Sequence, residues 1–219
     1  SKTVREIRPD IFHANLNWPL ACSYGIMAAY YARTKTIIAT QHLYDKIGSR
    51  RYELMQKFVS LLVNRYIAVS NDVSSQLKKD ILFGGKINVV HNGICINTFM
   101  QQEDGDIEKI LPGICSGDGS RKPVVLTVGR LVEQKGHLYL LRAIAKIPDA
   151  VFVFAGDGPK RQNIEREIDV LGIGGRVHLL GHRDDIPQLL NSCDIFVLPS
   201  LFEGHPLSVM EAMAACKPV

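Results

Sequence analysis

At 219 residues the chain exceeds a typical single domain, and its 46% apolar and 22% charged residues are those of an ordinary globular fold, not of a disordered or membrane-embedded one. The formal net charge of +4, with a pI near 8.8, is too mild to mark a nucleic-acid binder, though it suits phosphate-bearing ligands or an anionic surface. Five cysteines, odd in number and without a Cys-x-x-Cys pair, argue against a disulfide framework or zinc site and for a reducing, cytoplasmic compartment; there is no signal-peptide pattern and no apolar run of membrane-spanning length.

In chain order, short apolar runs at 11–13, 36–40, 66–69, 87–90, 124–128, 151–155, 177–180 and 195–198 read as strands. Helical stretches lie between them at about 19–32, 50–64, 72–82, 136–147, 160–171 and 186–192. Strands alternating with crossover helices imply parallel sheets with helices on both faces. The alternation pauses at residues 101–122, which carry four glycines and a proline. Three parts follow: residues 1–105 as one Rossmann-like domain, 106–122 as a linker, and 123–219 as a second such domain. A strand begins soon after the N-terminus, and a helix ends at Cys216-Lys-Pro218-Val219 as if another strand were due. Both domains therefore read as incomplete, the chain being an internal fragment that should be unstable and inactive alone; a small complete domain pair is the alternative.

The richest chemistry lies near the end. After the run Ile195-Phe-Val-Leu-Pro199 comes Glu203-Gly204-His-Pro206-Leu207-Ser208-Val-Met-Glu211. Pro206 suits a first helical turn, where its missing N–H costs nothing. A helix start at the carboxyl edge of a parallel sheet favours an anion. Glu203 and Glu211 flank that start and suit a ligand with phosphate and several hydroxyls, such as a nucleotide-sugar. Upstream, Val124-Val-Leu-Thr-Val-Gly129-Arg130-Leu-Val-Glu-Gln-Lys135-Gly136 is a strand, a loop with two cations and a helix start. Arg130 can offer a planar fork to phosphate oxygens and Lys135 a mobile point charge; a solvated basic loop is the plainer reading of that segment alone.

Taken in order, Gly129-Arg130-Leu with Lys135-Gly136, Ala155-Gly-Asp-Gly-Pro159, Gly181-His-Arg183 and Glu203-Gly204-x-Pro206 to Glu211-Ala-Met resemble the donor half of glycosyltransferase family 4 over about a hundred residues. The resemblance implies an α/β GT-B fold, two Rossmann-like domains facing a cleft. It also implies metal-independent transfer of a sugar from a nucleotide diphosphate donor, with retention, by front-face departure and attack, in cell-envelope or exopolysaccharide synthesis. No cofactor or metal is expected. By resemblance, Arg130 and Lys135 neutralise the diphosphate at the end of Gly129's strand. Glu211 holds the ribose, and the segment of Arg183 lines the base. Glu203 sits by the sugar as a positioning carboxylate, with Gly204 and the backbone of Pro206, Leu207 and Ser208 nearby.

The first half is similar to the acceptor side more loosely. His42, closing Ile37-Ile-Ala-Thr40-Gln-His42, matches a strand-end histidine that points at the donor sugar, so that Glu203 and His42 are the candidate catalytic residues. Pro9-Asp10-Ile-Phe-His13-Ala-Asn15 resembles the family's His-x-His strand, with Asn15 in place of the second histidine. Cys95 stands where an acid is usual, and Cys216 where glycine is usual. A satisfied strand-end histidine remains an alternative at His42 and the preferred reading at His13.

The acceptor is a hydroxyl on a glycan, a lipid-linked sugar or a small molecule, and no nucleic acid partner is expected. The mixed basic and apolar stretch 46–58 could touch anionic lipid at the inner membrane face, although a normal helix with its apolar side on the sheet is the plainer reading. Rival functions are a 2-epimerase or phosphorylase at a similar site, or a non-catalytic nucleotide-sugar-binding scaffold. Donor hydrolysis or transfer separates the scaffold from the enzyme.

Overall fold

Two sheets, each of four parallel strands among the described residues, organise the chain. The computed structural model describes residues 2–44, 48–100, 107–110, 112 and 121–219. The strands are β1 (Ile11–Leu16), β2 (Thr36–Gln41), β3 (Arg65–Ala68), β4 (Ile87–Val89), β5 (Val124–Val128), β6 (Val151–Ala155), β7 (Val177–Gly181) and β8 (Ile195–Phe196). The α-helices are α1 (Lys2–Ile7), α2 (Ser23–Tyr31), α3 (Arg50–Leu62), α4 (Asn71–Asp80), α5 (Asn97–Met100), α6 (Ile107–Ile110), α7 (His137–Ile144), α8 (Arg161–Leu171), α9 (Ile186–Ser192) and α10 (Leu207–Ala214). Unit 1 comprises Ser1–Asn92 and Glu203–His205; unit 2 comprises Gly93–Phe202 and Pro206–Val219. The linker expected at 106–122 lies mostly outside the described residues. Ile94, Phe99 and Ile110 pack on a core of unit 2, which claims the chain after Gly93 for that unit.

Unit 1 runs β1-β2-β3-β4 in spatial order, with no reversal. Right-handed crossovers that always step the same way put their helices on one face. The core agrees: Ala14, Leu16, Ile37, Ala39 and Tyr66, all of one alternation, bury against Ile26, Val59 and Leu77 from α2, α3 and α4. The alternate residues Ile11, His13 and Asn15 of edge strand β1 are exposed. Helices on both faces, expected from the sequence, are therefore not what the described part of unit 1 builds.

Unit 2 is doubly wound, in the order β7-β6-β5-β8. One face, with Val124, Leu126, Val153 and Ala155, packs on α9 and α10 through Leu189, Leu190 and Ala212. The other, with Val125, Phe152 and Phe154, packs on α7 and α8 through Leu141, Ile144, Ile164 and Ile168. Burial on both sides explains why β5 and β6 read as unbroken apolar runs. The order reverses at β5: β6 and β7 lie on one side and β8 on the other, a topological switch point.

Helix limits follow local backbone chemistry. In α4 the Ser70 hydroxyl accepts from the Val73 N–H at 3.2 Å, while Lys78 and Lys79 complement the dipole at the last turn. α2 starts later than expected because Cys22 is left-handed, at φ 60°. Pro206 is the N-cap of α10, one residue outside the first turn where the sequence placed it.

Candidate active site

The unit 2 site grows from the carboxyl ends of β5 and β8, the two strands beside the switch point. At the end of β5, Gly129 donates its N–H to the Ala155 carbonyl at 3.0 Å. Its backbone lies so close to Gly156 that a β-carbon there would stand 2.0 Å from the Gly129 oxygen. The Lys135 stem crosses Gly129, its Cε 3.4 Å from where a β-carbon would lie. Arg130 is exposed, and among the described residues its guanidinium has no partner.

A 3₁₀ turn, Glu133–Lys135, leads into Gly136, left-handed at φ 64°. Any β-carbon at Gly136 would meet the Pro199 carbonyl at 2.1 Å. Gln134 ties the same turn to the β8 exit: its carbonyl accepts from the Leu201 N–H at 2.8 Å and its amide donates to the Phe202 carbonyl at 2.9 Å. The cation loop and the segment before Glu203 are thus held as one piece. Neither Gln134 nor the contact of Gly136 with Pro199 was legible in the sequence, because both depend on which strand β5 takes as its second neighbour.

His137, first in α7 and 3% exposed, is a further missed residue. Burial, and then the Lys135 charge, push its pKa down to about 4, so the ring is neutral beside the loop. It packs on Phe154 with 5.7 Å between ring centroids.

α10 begins beside the switch point, and the N–H groups of its first residues, Leu207 and Ser208 among them, are the ones a helix leaves without intrahelical acceptors. Glu211, one turn further on, is half-buried, and among the described residues its carboxylate has no hydrogen-bond or ion-pair partner. Burial alone pushes its carboxyl above the ordinary value. Such a carboxylate suits hydroxyl donors supplied by a ligand. Arg183 is differently engaged: its fork grips the Asp185 carboxylate through Nε at 2.8 Å and through a second nitrogen at 2.5 Å. That pair raises the pKa of Arg183 and lowers that of Asp185.

In unit 1 the candidate residues gather at the carboxyl edge of β1, β2 and β4. The His42 N–H donates to the Leu16 carbonyl at 3.0 Å, and its ring Nε2 lies 3.0 Å from Asn15 Oδ1. Nε2 therefore carries the neutral ring's proton and Nδ1 is the acceptor. Burial, then the neighbouring His13, lower the His42 pKa. His13 Nε2 meets the Thr40 hydroxyl at 2.7 Å. The structure thus gives Asn15 a role that the sequence comparison with a missing histidine did not: it orients His42.

Gly204 sits against the same strand end, where a β-carbon would lie 1.8 Å from the His42 carbonyl oxygen. This places Gly204 beside His42, and Glu203 and Gly204 belong to unit 1. His205 fixes the stretch: its Nδ1 accepts from the Asn92 N–H at 3.1 Å, and its carbonyl accepts from the Asn92 side chain at 2.9 Å. The His205 ring lies 5.4 Å from that of His91.

A doubly wound unit with two cations, a helix start and an unpartnered carboxylate beside its switch point, together with a second parallel α/β unit, is of the GT-B transferase class. The Anabaena HepE structure solved with UDP and glucose has the same fold: TM-score 0.82, 25% identity, covering 100% of this chain and 60% of that one. The family model "Glycosyltransferase Family 4" matches residues 1–97 and "Glycosyl transferases group 1" matches residues 116–219. The chain belongs to this glycosyltransferase family. The Escherichia coli UDP-Gal:alpha-D-GlcNAc-diphosphoundecaprenol alpha-1,3-galactosyltransferase is 32% identical over 99% of this chain and 58% of its own length. The Campylobacter jejuni N,N'-diacetylbacillosaminyl-diphospho-undecaprenol alpha-1,3-N-acetylgalactosaminyltransferase is 29% identical over 90% of this chain and 55% of its own length. The chain therefore spans somewhat over half the length of these curated relatives. Among the described residues, no helix is long and apolar enough to cross a membrane.

Proposed function

We propose that the protein transfers a hexose-type sugar from a nucleoside diphosphate sugar to a hydroxyl acceptor, with retention and without a metal. The observation that supports this reading is that the loop with Arg130 and Lys135 and the start of α10, which carries Glu211, follow the neighbouring strands β5 and β8 at the switch point of unit 2. In transfer, the bond from the anomeric carbon to the diphosphate oxygen breaks and the acceptor oxygen bonds to the same face of the sugar. The leaving diphosphate gathers charge. Arg130, Lys135 and the N–H groups of α10 take it up, as fixed donors and dipoles do best in a water-poor site. Glu211 accepts hydroxyl protons of the ribose, and the segment of Arg183 borders the base.

In unit 1, Glu203 and the neutral His42 are assigned to the sugar, with Asn15 setting the His42 tautomer. Glu203 is assigned to positioning, not to covalent attack. The activities of the E. coli and C. jejuni relatives favour a lipid-linked diphosphate sugar as acceptor over a free glycan or a small molecule, and hence work at the cytoplasmic face of a membrane. The test is the anomeric configuration of the product, followed by proton NMR from an α-linked donor. An α-linked product is expected. A β-linked product refutes retention, and binding of donor with neither transfer nor hydrolysis supports a scaffold instead.

A further inference from the structure

Two helices of unit 1 are followed by an arginine in the backbone conformation that glycine takes most readily. Just past α1, Arg8 stands at φ 48°, and its N–H donates to the Val4 carbonyl at 3.0 Å. Just past α2, Arg33 stands at φ 59°. Its N–H donates to the Tyr30 carbonyl at 2.9 Å, and the Thr34 N–H donates to the Ala29 carbonyl at 3.1 Å. Both are left-handed helix stops, where glycine is the usual residue because any β-carbon brings strain. Such strain persists where something else requires the side chain. Arg8 and Arg33 line the same cavity.

That cavity, of about 610 Å³, lies at the amino edge of the sheet, where the chain enters β1 and β2. Arg5 and Lys35 line it as well, and Asp10 is its one carboxylate. Asp10 pairs with Lys35 at 2.9 Å. The guanidinium groups of Arg5, Arg8 and Arg33 have no hydrogen-bond or ion-pair partner among the described residues. Three positive charges are thus left uncompensated around a space far roomier than a single phosphate needs. Complementing the helix dipoles does not account for them: a cation in the last turn does that without left-handed strain, and Arg5 already stands in the last turn of α1. Tyr31, 70% exposed, adds an aromatic face to the wall. Unpaired guanidinium forks are the donors that match phosphate oxygens in both charge and geometry.

We propose that this cavity binds a soluble ligand carrying two or more phosphate groups. It lies at the opposite end of β1 and β2 from Asn15 and His42, so it is separate from the candidate active site and does not rest on the proposed reaction. The probe is inorganic tripolyphosphate, titrated by calorimetry into the unsubstituted protein and into Arg130→Ala, which disables the phosphate loop of unit 2. Saturable binding that persists in Arg130→Ala is expected. It should weaken about tenfold or more in Arg8→Gly with Arg33→Gly, and about threefold or more in Arg5→Gln. Glycine suits both left-handed positions, so the double variant keeps its fold, and its affinity for nucleoside diphosphate should not change. Hydrogen exchange of the unsubstituted protein, which needs no variant to fold, should slow at 5–8 and 31–35 when tripolyphosphate is added. No slowing there overturns the proposal, as does binding that Arg130→Ala abolishes and the double glycine variant leaves intact. Vesicles containing phosphatidylglycerol offer phosphate as a headgroup. Sedimentation with them that depends on Arg8 and Arg33, without tripolyphosphate binding, would assign the cluster to lipid and overturn the soluble ligand. Failure of nucleoside diphosphates to bind, with tripolyphosphate binding intact, would overturn the donor-site reading and leave this site supported.

Discussion

At the scale of single residues, the two sharpest statements concern the carboxyl of Glu211 and the backbone of Cys216. Burial holds the Glu211 carboxyl above its ordinary value, so free protein favours its neutral form to a higher pH than an exposed glutamate would. Ribose hydroxyls donate to the carboxylate, so nucleotide binding should release a proton. Affinity should fall on acidification from a higher pH than an exposed glutamate would give, and Glu211→Gln should flatten that dependence; calorimetry in buffers of different ionisation enthalpy reads both. A pH-independent affinity in the unsubstituted protein would contradict the role. Cys216 follows α10 at φ 55°, a left-handed position, which explains why glycine is usual there in the family it resembles. Cys216→Gly should stabilise the protein by about 0.5–1 kcal/mol, the relief of left-handed strain less the extra chain entropy of glycine. A thermal melt checks it. The sequence showed the departure but not its cause, because a backbone angle is not written in a motif.

At the scale of elements, α7 is the informative one. Gly136 lets the chain turn against Pro199, and His137 then enters the core as a neutral ring. Its pKa of about 4 in the fold lies below the ordinary 6.5. The unfolded chain therefore binds the extra proton first as pH falls from about 6.5 to 4. Stability is complete above that window and is lost across it, by about 3 kcal/mol at most. Denaturant melts across this range should show the loss, and His137→Phe, if folded, should reduce it. A melt midpoint flat across this range would show that the ring is not buried neutral. The strands of both units were legible because burial on one or two faces writes continuous or alternating apolar runs, and β5 and β6 match their expected limits. Helix starts were less legible. Cys22 and Gly136 are left-handed, and Pro206 caps α10 from outside, so α2, α7 and α10 begin later than their composition suggests.

At the scale of the whole molecule, strand order decides what the motifs mean. Arg130, Lys135 and Glu211 could be recognised in the sequence, but only the order β7-β6-β5-β8 shows that the loops carrying them leave strands on either side of a switch point. The order β1-β2-β3-β4 likewise leaves one alternation of β1 open, with His13 and Asn15 on it, which apolar periodicity alone did not reveal. Because two cations and a helix start are assigned to the leaving diphosphate, EDTA should leave transfer unchanged; loss of activity restored by a divalent ion would refute metal independence. The central claim is that unit 2 binds a nucleoside diphosphate through these groups. Titration calorimetry with uridine, guanosine and adenosine diphosphates should find one that binds, with Arg130→Ala and Glu211→Ala each weakening it about tenfold or more, or roughly 1.4 kcal/mol. Unchanged affinity in both variants, or no binding by any of the three nucleotides, would contradict the account.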